Sequence, residues 1–129
     1  MKLKLLFSAL AMALLAGCAA MPTQQEIAAL DYGTPVPDNY KTQISVYLQV
    51  TLKDPYSAHI DIQEPIKYWY QEPLLSGGKR HVGWLVKVFV NAKNSFGGYT
   101  GSQTYGFLFR NDVIDVIISP DEWAMMRTH

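Results

Sequence analysis

The sequence predicts an α+β domain, with an N-terminal helix packed on a three- to four-stranded antiparallel sheet after a signal peptide and a short tether. Three observations carry this. Apolar residues recur at three- and four-residue spacing from Tyr40 to Thr51, the period drops to two from Ile60 onward, and Gly77-Gly78 and Asn111-Asp112 separate the alternating runs. With 129 residues, 49% hydrophobic and 17% charged, the chain has material for one small core and lacks the profile of a disordered segment. Its 11 Lys+Arg balance 11 Asp+Glu, so no basic excess neutralises a nucleic-acid backbone, and no nucleic acid is expected among its partners. A single cysteine makes neither an internal disulfide nor a Cys-rich metal cage.

Residues 1–17 place Lys2 and Lys4 before an apolar run from Leu5 to Leu15, interrupted by Ser8 alone, and close with Ala16 and Gly17. This is the layout of a signal peptide, and the run is about half of the roughly 20 residues that a membrane-spanning helix needs. Leu15-Ala16-Gly17-Cys18 resembles the lipobox of bacterial lipoproteins. The resemblance implies cleavage before Cys18 and three acyl chains on that residue, diacylglycerol on the thiol plus a palmitate-type chain. Burial at about 0.8 kcal/mol per methylene makes such an anchor effectively permanent. The small residues let the backbone enter a peptidase cleft, and the thiol is a nucleophile suited to lipid transfer. The alternative is ordinary cleavage after Ala20, since Cys18-Ala19-Ala20 is also a small-residue site. Position 19 is Ala, where inner-membrane lipoproteins of enterobacterial type tend to carry Asp. That implies the outer membrane on its periplasmic side, with the outer leaflet of the inner membrane and the cell surface as alternatives. Loss of Lys2 and Lys4 leaves nine basic against eleven acidic residues, a net charge of −2, so lipid rather than a polybasic patch is the expected hold on the membrane.

Residues 18–38, with Pro22, Pro35 and Pro37, read as a tether. A short helix is expected inside it, where Thr23 and Glu26 form a capping box, Ile27 and Leu30 share a face, and Gly33 follows as a stop. The domain then occupies residues 39–129. Its first element is a helix over residues 39–53, capped by Asp38, with Tyr40, Ile44, Tyr47, Leu48 and Thr51 on one face and Lys53 in the last turn. Asp54-Pro55 ends it, because the residue before proline leaves the helical region. Ile60, Ile62, Ile66, Tyr68 and Tyr70 keep one parity across Glu64-Pro65, as an edge strand with a bulge would. Next, Val82, Trp84, Val86, Val88 and Val90 share one face of the strongest strand, opposite His81, Gly83, Leu85, Lys87, Phe89 and Asn91. Tyr105, Phe107 and Phe109 alternate with Thr104, Gly106, Leu108 and Arg110, and Asn111-Asp112 turns this run into Val113 to Ile118 as a hairpin. Pro120 opens a short terminal helical turn capped by Ser119 or Asp121.

The segment from Asn91 to Gly101 is long for a hairpin connection, which usually takes about two to five residues. Gly97 and Gly98 permit positive φ and offer backbone N–H groups to an anion, with Lys93 adding charge, although the Gly-Lys-Ser/Thr order of a P-loop is absent. Asn91, Lys93, Asn94, Phe96, Gly97, Gly98, Tyr99 and Gly101 therefore form a candidate binding loop. A purely structural reading competes: Asn91 and Asn94 hydrogen-bond the loop backbone, and Phe96 and Tyr99 pack back on the sheet. His59 and His81 open adjacent strands, where they can be neighbours, but no metal-ligand spacing occurs, so neither metal nor cofactor is expected. No Gly-x-Ser-x-Gly is present, and Asp61, Glu64, Glu72, Asp112 and Asp115 sit near strand ends and turns where solvated carboxylates are usual. No catalytic residue is singled out. Tyr68, Trp69, Tyr70 and Trp84 are candidates for a glycan-stacking platform, against the reading that they pack the sheet.

Leu52-Lys53-Asp54-Pro55-Tyr56-Ser57-Ala58 and the Asn91 to Gly101 segment together resemble a group of small uncharacterised bacterial exported proteins and lipoproteins. Members carry Leu-Lys-Asp-Pro-x-Ser-Ala before a strand and later Asn-Ala-Lys-Asn-x-Phe/Tyr-Gly-Gly-Tyr-x-Gly. The resemblance implies a real domain and brings no reaction with it. Members often carry a cysteine just before the strand of the second motif, where this chain has Gly83-Trp84, so no disulfide is implied here. The expected function is a non-enzymatic envelope lipoprotein that binds an envelope protein or glycan through residues 91–101. A binder of small ligands or peptidoglycan fragments, with Trp84 or Trp69 as stacking surface, is the alternative, and a carboxylate-dependent hydrolase is the least favoured reading.

Overall fold

The computed structural model describes residues 21–126, so the expected signal peptide, the expected lipidation site Cys18 and His129 lie outside the described residues. The chain divides into two compact units, up to Leu30 and from Asp31 onward. In the first, α1 (Gln24–Ala28) carries the expected capping box: Thr23 N donates to Glu26 Oε2 at 2.7 Å and Glu26 N to Thr23 Oγ1 at 3.3 Å. It stops at Ala29, short of Gly33.

The second unit is an α+β fold with a five-stranded antiparallel sheet. It runs α2 (Tyr40–Thr51), β1 (His59–Ile62), β2 (Ile66–Gln71), β3 (Arg80–Asn91), β4 (Gln103–Arg110), β5 (Val113–Ile118) and α3 (Pro120–Met126), with 3₁₀ turns at Pro55–Ser57 and Leu74–Ser76. The order across the sheet is β1-β3-β4-β5, and β2 also pairs with β3. Helix α2 begins one residue later than expected. Asn39, not Asp38, is its N-cap, and the Asn39 side chain accepts from Gln43 Nε2 at 2.9 Å instead of capping the backbone. Lys53 lies beyond the helix, whose C-cap is Leu52. The predicted apolar face is the one that docks: Ile44 and Leu48 are fully buried with Val86, Val88, Val90, Phe107 and Phe109. Tyr40 and Tyr47 meet Phe109 and Phe107 edge-on, at 6.3 and 5.4 Å between ring centroids.

The β1–β2 region departs from simple alternation. Ile62 pairs with Val88 but Ile66 pairs with Leu85, so Gln63, Glu64 and Pro65 lie opposite only Val86 and Lys87. One extra residue flips every following side chain to the other face. Ile60 and Ile62 therefore share the α2 face, whereas Tyr68 and Tyr70 join a second core with Leu85, Leu108, Ile118, Trp123 and Met126. The short C-terminal helix α3 covers that core. Its start is a second capping box, in which Ser119 N donates to Glu122 Oε2 at 2.8 Å and Glu122 N to Ser119 Oγ at 3.4 Å. The β4–β5 turn is as expected, with positive φ at both Asn111 (51°) and Asp112 (71°), the signature of a type I′ hairpin.

Gly83 sits hard against the backbone of β4. It pairs with Tyr68, and a Cβ placed on it collides with the Phe109 carbonyl oxygen, which is rigid sheet backbone. No cysteine fits position 83 without moving β4. Gly83→Ala is expected to destabilise the domain by about 1–3 kcal/mol, read as a lower denaturation midpoint; an unchanged midpoint contradicts the packing described for β3 and β4.

Candidate functional site

The two motifs that stand out in the sequence meet at the Asn91 end of β3. In the first, Asp54 Oδ1 accepts from Ser57 N at 3.3 Å and Ser57 Oγ donates to Asp54 O at 3.2 Å, fixing the 3₁₀ turn that delivers the chain into β1. In the second, the long connection is largely a continuation of the hairpin. Lys93 pairs with Tyr99, Thr100 N donates to Ala92 O at 3.2 Å, and Asn94 N donates to Gly98 O at 2.8 Å, leaving a tight turn over residues 94–98. The turns are tied to each other. Tyr99 Oη donates to Ser57 O at 3.1 Å, and Lys53 Nζ donates to Ser95 Oγ at 3.3 Å. Tyr99 also stacks on His59 at 5.3 Å, while Lys93 Nζ sits 5.5 Å from the centroid of the same ring.

This geometry corrects several expectations. The Asn94 carboxamide oxygen accepts from Phe96 N at 2.9 Å and Gly98 N at 3.1 Å, so the N–H groups proposed for an anion are satisfied from within. Lys93 lies over Tyr99 rather than beside those amides. Gly97 and Gly101 have positive φ with open space around them, as a turn requires. Asn91 does not bond the loop backbone; its Oδ1 is buried without a hydrogen-bond partner. Phe96 does not pack back on the sheet but is 97% exposed, and Tyr56, which sequence reasoning passed over, is 99% exposed on the companion turn. The signal for Tyr56 was present, because Asp54 and Ser57 close the turn on their own side chains and leave the intervening residue pointing out. Beside these turns, His59, Ile60, Asp61, Phe89, Asn91 and Ser102 line an open depression of about 400 Å³.

The four aromatics considered for stacking do not form one surface. Tyr68 and Tyr70 face α3, whereas Trp69 and Trp84 pair with Val82 and Lys67 on the opposite face of the sheet. Lys67 Nζ lies 5.7 Å from the Trp84 ring centroid and the Arg80 guanidinium 5.8 Å from that of Trp69. The Trp84 indole N–H reaches the Gly33 carbonyl at 3.4 Å.

His59 and His81 are not neighbours, because β1 and β2 pair with opposite ends of β3. His81 is 6% exposed at the Arg80 end, where Nε2 meets Glu72 Oε1 at 2.6 Å, Nδ1 lies 4.0 Å from Asp115 Oδ2, and Tyr70 stacks on the ring at 4.7 Å. Two carboxylates singled out in the sequence thus flank one imidazole. Lys79, Arg80, Arg110 and Asp31 complete a depression of about 330 Å³ around it. Burial, reinforced by Glu72, Glu122 and other neighbours, pushes the Tyr70 phenol up to about 12, so it stays protonated at neutral pH. The ring bonds a carboxylate, with no serine, threonine or cysteine among its hydrogen-bond partners in the described residues. Among those residues, no group of three His, Cys, Asp or Glu is arranged to hold a metal ion.

Comparison with protein families, with curated proteins and with solved structures gives no match.

The His81 hydrogen bond holds the Glu72 carboxyl below its usual range, against partial desolvation and helped by the charges of His81 and Lys79. A carboxylate whose folded value is depressed stabilises fully above its unfolded value, about 4.3, and loses that contribution as pH falls through the folded one. Acid titration below about pH 4.5 is therefore expected to erode the thermal stability of the native chain more steeply than that of Glu72→Gln. Parallel curves contradict the pairing.

Proposed function

We propose that this chain is a lipid-anchored lipoprotein of the bacterial envelope, held through Cys18 on the periplasmic side of the outer membrane, whose domain binds another envelope protein through the Asn91 end of the sheet. The observation that carries this reading is the pair of aromatic side chains Tyr56 and Phe96, 99% and 97% exposed on two turns braced against each other. Aromatic side chains on fixed backbone bury a large area on association while losing little freedom, which is the make-up of interface hot spots. Half-exposed Tyr99 and the depression bounded by Phe89 and Ile60 extend the apolar surface beside them. The lipidation reading rests on Leu15 to Cys18 with correct flanks.

Binding of a protein is favoured over glycan stacking on Trp69 or Trp84, because Arg80 and Lys67 already cover those rings. It is favoured over hydrolysis because His81 is paired with carboxylates and not with a hydroxyl nucleophile.

In cells, a photoreactive residue at position 94 is expected to crosslink a recurring envelope protein, and Phe96→Ala combined with Tyr56→Ala to weaken that capture by about thirtyfold, the scale of a hot spot, without shifting the melting temperature. Capture that survives the double substitution counts against the reading, as does a large fall in melting temperature. Cys18→Ser is expected to leave an unacylated precursor; unchanged mass and unchanged membrane fractionation contradict lipidation.

A further inference from the structure

We propose that the β2–β3 hairpin tip is a membrane-contact element, in which Leu74 and Leu75 enter the surface of the bilayer that carries the lipid anchor while Lys79 and Arg80 meet its anionic headgroups. Leu74 and Leu75 are 84% and 104% exposed. A single surface leucine is ordinary, but two in succession at the apex of a hairpin are a concentrated apolar point. The apex is built to keep them there. Ser76 N and Gly78 N donate to Pro73 O at 2.9 and 3.1 Å, Gly77 N donates to Leu74 O at 3.1 Å, and Glu72 N donates to Lys79 O at 2.9 Å. The Gln71 side chain also donates to Gly78 O, and Gly77 and Gly78 supply the positive φ values of 109° and 64° that close the turn. Among the described residues, no element folds over the leucines.

The chemistry around the apex suits a lipid surface more than a protein groove. Lys79 and Arg80 follow directly and are exposed, while of the carboxylates at this end Glu72 is engaged by His81, Asp31 by Arg110, and Asp115 lies 4.0 Å from the second His81 nitrogen. Trp69, with the Arg80 guanidinium on its ring, stands one step further from the apex, where an indole belongs at headgroup depth. Basic side chains beside an anionic leaflet each strengthen attachment by about fivefold.

Where the tether joins the domain points the same way, and here the inference rests on the lipidation reading. Arg110 Nη1 donates to Asp31 O at 2.7 Å and Thr34 N donates to Asn111 Oδ1 at 3.4 Å, so the segment leading from Cys18 joins the domain at the Arg80 end of β3. That is the end carrying the leucine apex, and the end opposite Tyr56 and Phe96. Twelve residues lie between Cys18 and Asp31, a reach of at most about 45 Å, so an anchored leaflet is within reach of this end.

The test exploits the lone cysteine. Once Cys18 is acylated, Ser76→Cys or Ser102→Cys introduces the one free thiol for an environment-sensitive fluorophore. The full acylated protein is placed in phosphatidylethanolamine–phosphatidylglycerol vesicles bearing a nitroxide on the lipid chains. The label at 76 is expected to be quenched and the label at 102 not. Leu74→Ser with Leu75→Ser, and separately Lys79→Glu with Arg80→Glu, are expected to bring quenching at 76 down to the level at 102. Equal quenching at both positions, or quenching at 76 that ignores both double variants, overturns the proposal and leaves the anchor standing. Intact mass of the same protein reads the anchor separately. If it carries no acyl chains, the form beginning at residue 18 with Cys18→Ala is mixed with the same vesicles; quenching at 76 then upholds the tip alone, and none overturns it.

Discussion

The burial of β3 on both faces is the constraint on which the rest of the structure depends. Its twelve residues place Val86, Val88 and Val90 on one side and Gly83 and Leu85 on the other, all withdrawn from water. A strand apolar on both faces has to be covered twice. One helix cannot do it, and the chain supplies α2 before the sheet and α3 after it. The same demand explains the bulge at Gln63 to Pro65. By adding one residue between β1 and β2, it lets a single edge of β3 receive Ile62 for the α2 core and Tyr68 and Tyr70 for the α3 core.

Most of this was legible in the residues. Helix α2, the alternation in β3 and β4 and the Asn111-Asp112 turn follow from local periodicity and turn chemistry, and each forms there, α2 within two residues of its expected ends. The second helical layer was under-read, because seven residues give little periodicity; Ser119 and Glu122 held the signal as a capping box. The bulge at Glu64-Pro65 was legible, but the flip of faces it causes between β1 and β2 was not. Ile60 through Tyr70 keep an unbroken parity, and only the pairing with β3 reveals that the residue added at Glu64-Pro65 reverses the face. Asp38 is not the cap because the helix begins one residue later, which puts Asn39 in the N-cap position, where its side chain accepts from Gln43.

The candidate site was legible as a segment and not as a surface. Asn94 and the glycines announce a turn, but the turn consumes its own donors, which removes the anion reading that the same residues suggest in isolation. Which aromatics stay outside depends on contacts between segments 42 residues apart, Tyr99 with Ser57 and Lys53 with Ser95. Such contacts leave no trace in local spacing. The pairing of Glu72 with His81 was hidden likewise, since it arises only when the β2–β3 hairpin closes and brings the two residues across from each other.

The two ends of β3 are built on one physical pattern with different chemistry. Each end holds apolar side chains in water on a turn whose backbone is satisfied internally, by Asn94 at one and by Gln71 and the Gly77-Gly78 pair at the other. Exposed apolar groups on mobile loops would tend to collapse onto the domain; fixing the turns prevents that and lowers the entropy lost on contact. The ends differ in what surrounds the apolar groups. At the Asn91 end the cation Lys93 lies over Tyr99, leaving aromatic surface suited to a protein partner, whereas at the Arg80 end Lys79 and Arg80 flank aliphatic leucines, the pairing an anionic bilayer attracts. Leucines at one end and aromatics at the other polarise the domain along β3, and under the two proposals the strand, locked between two helices, would set the separation between membrane and partner.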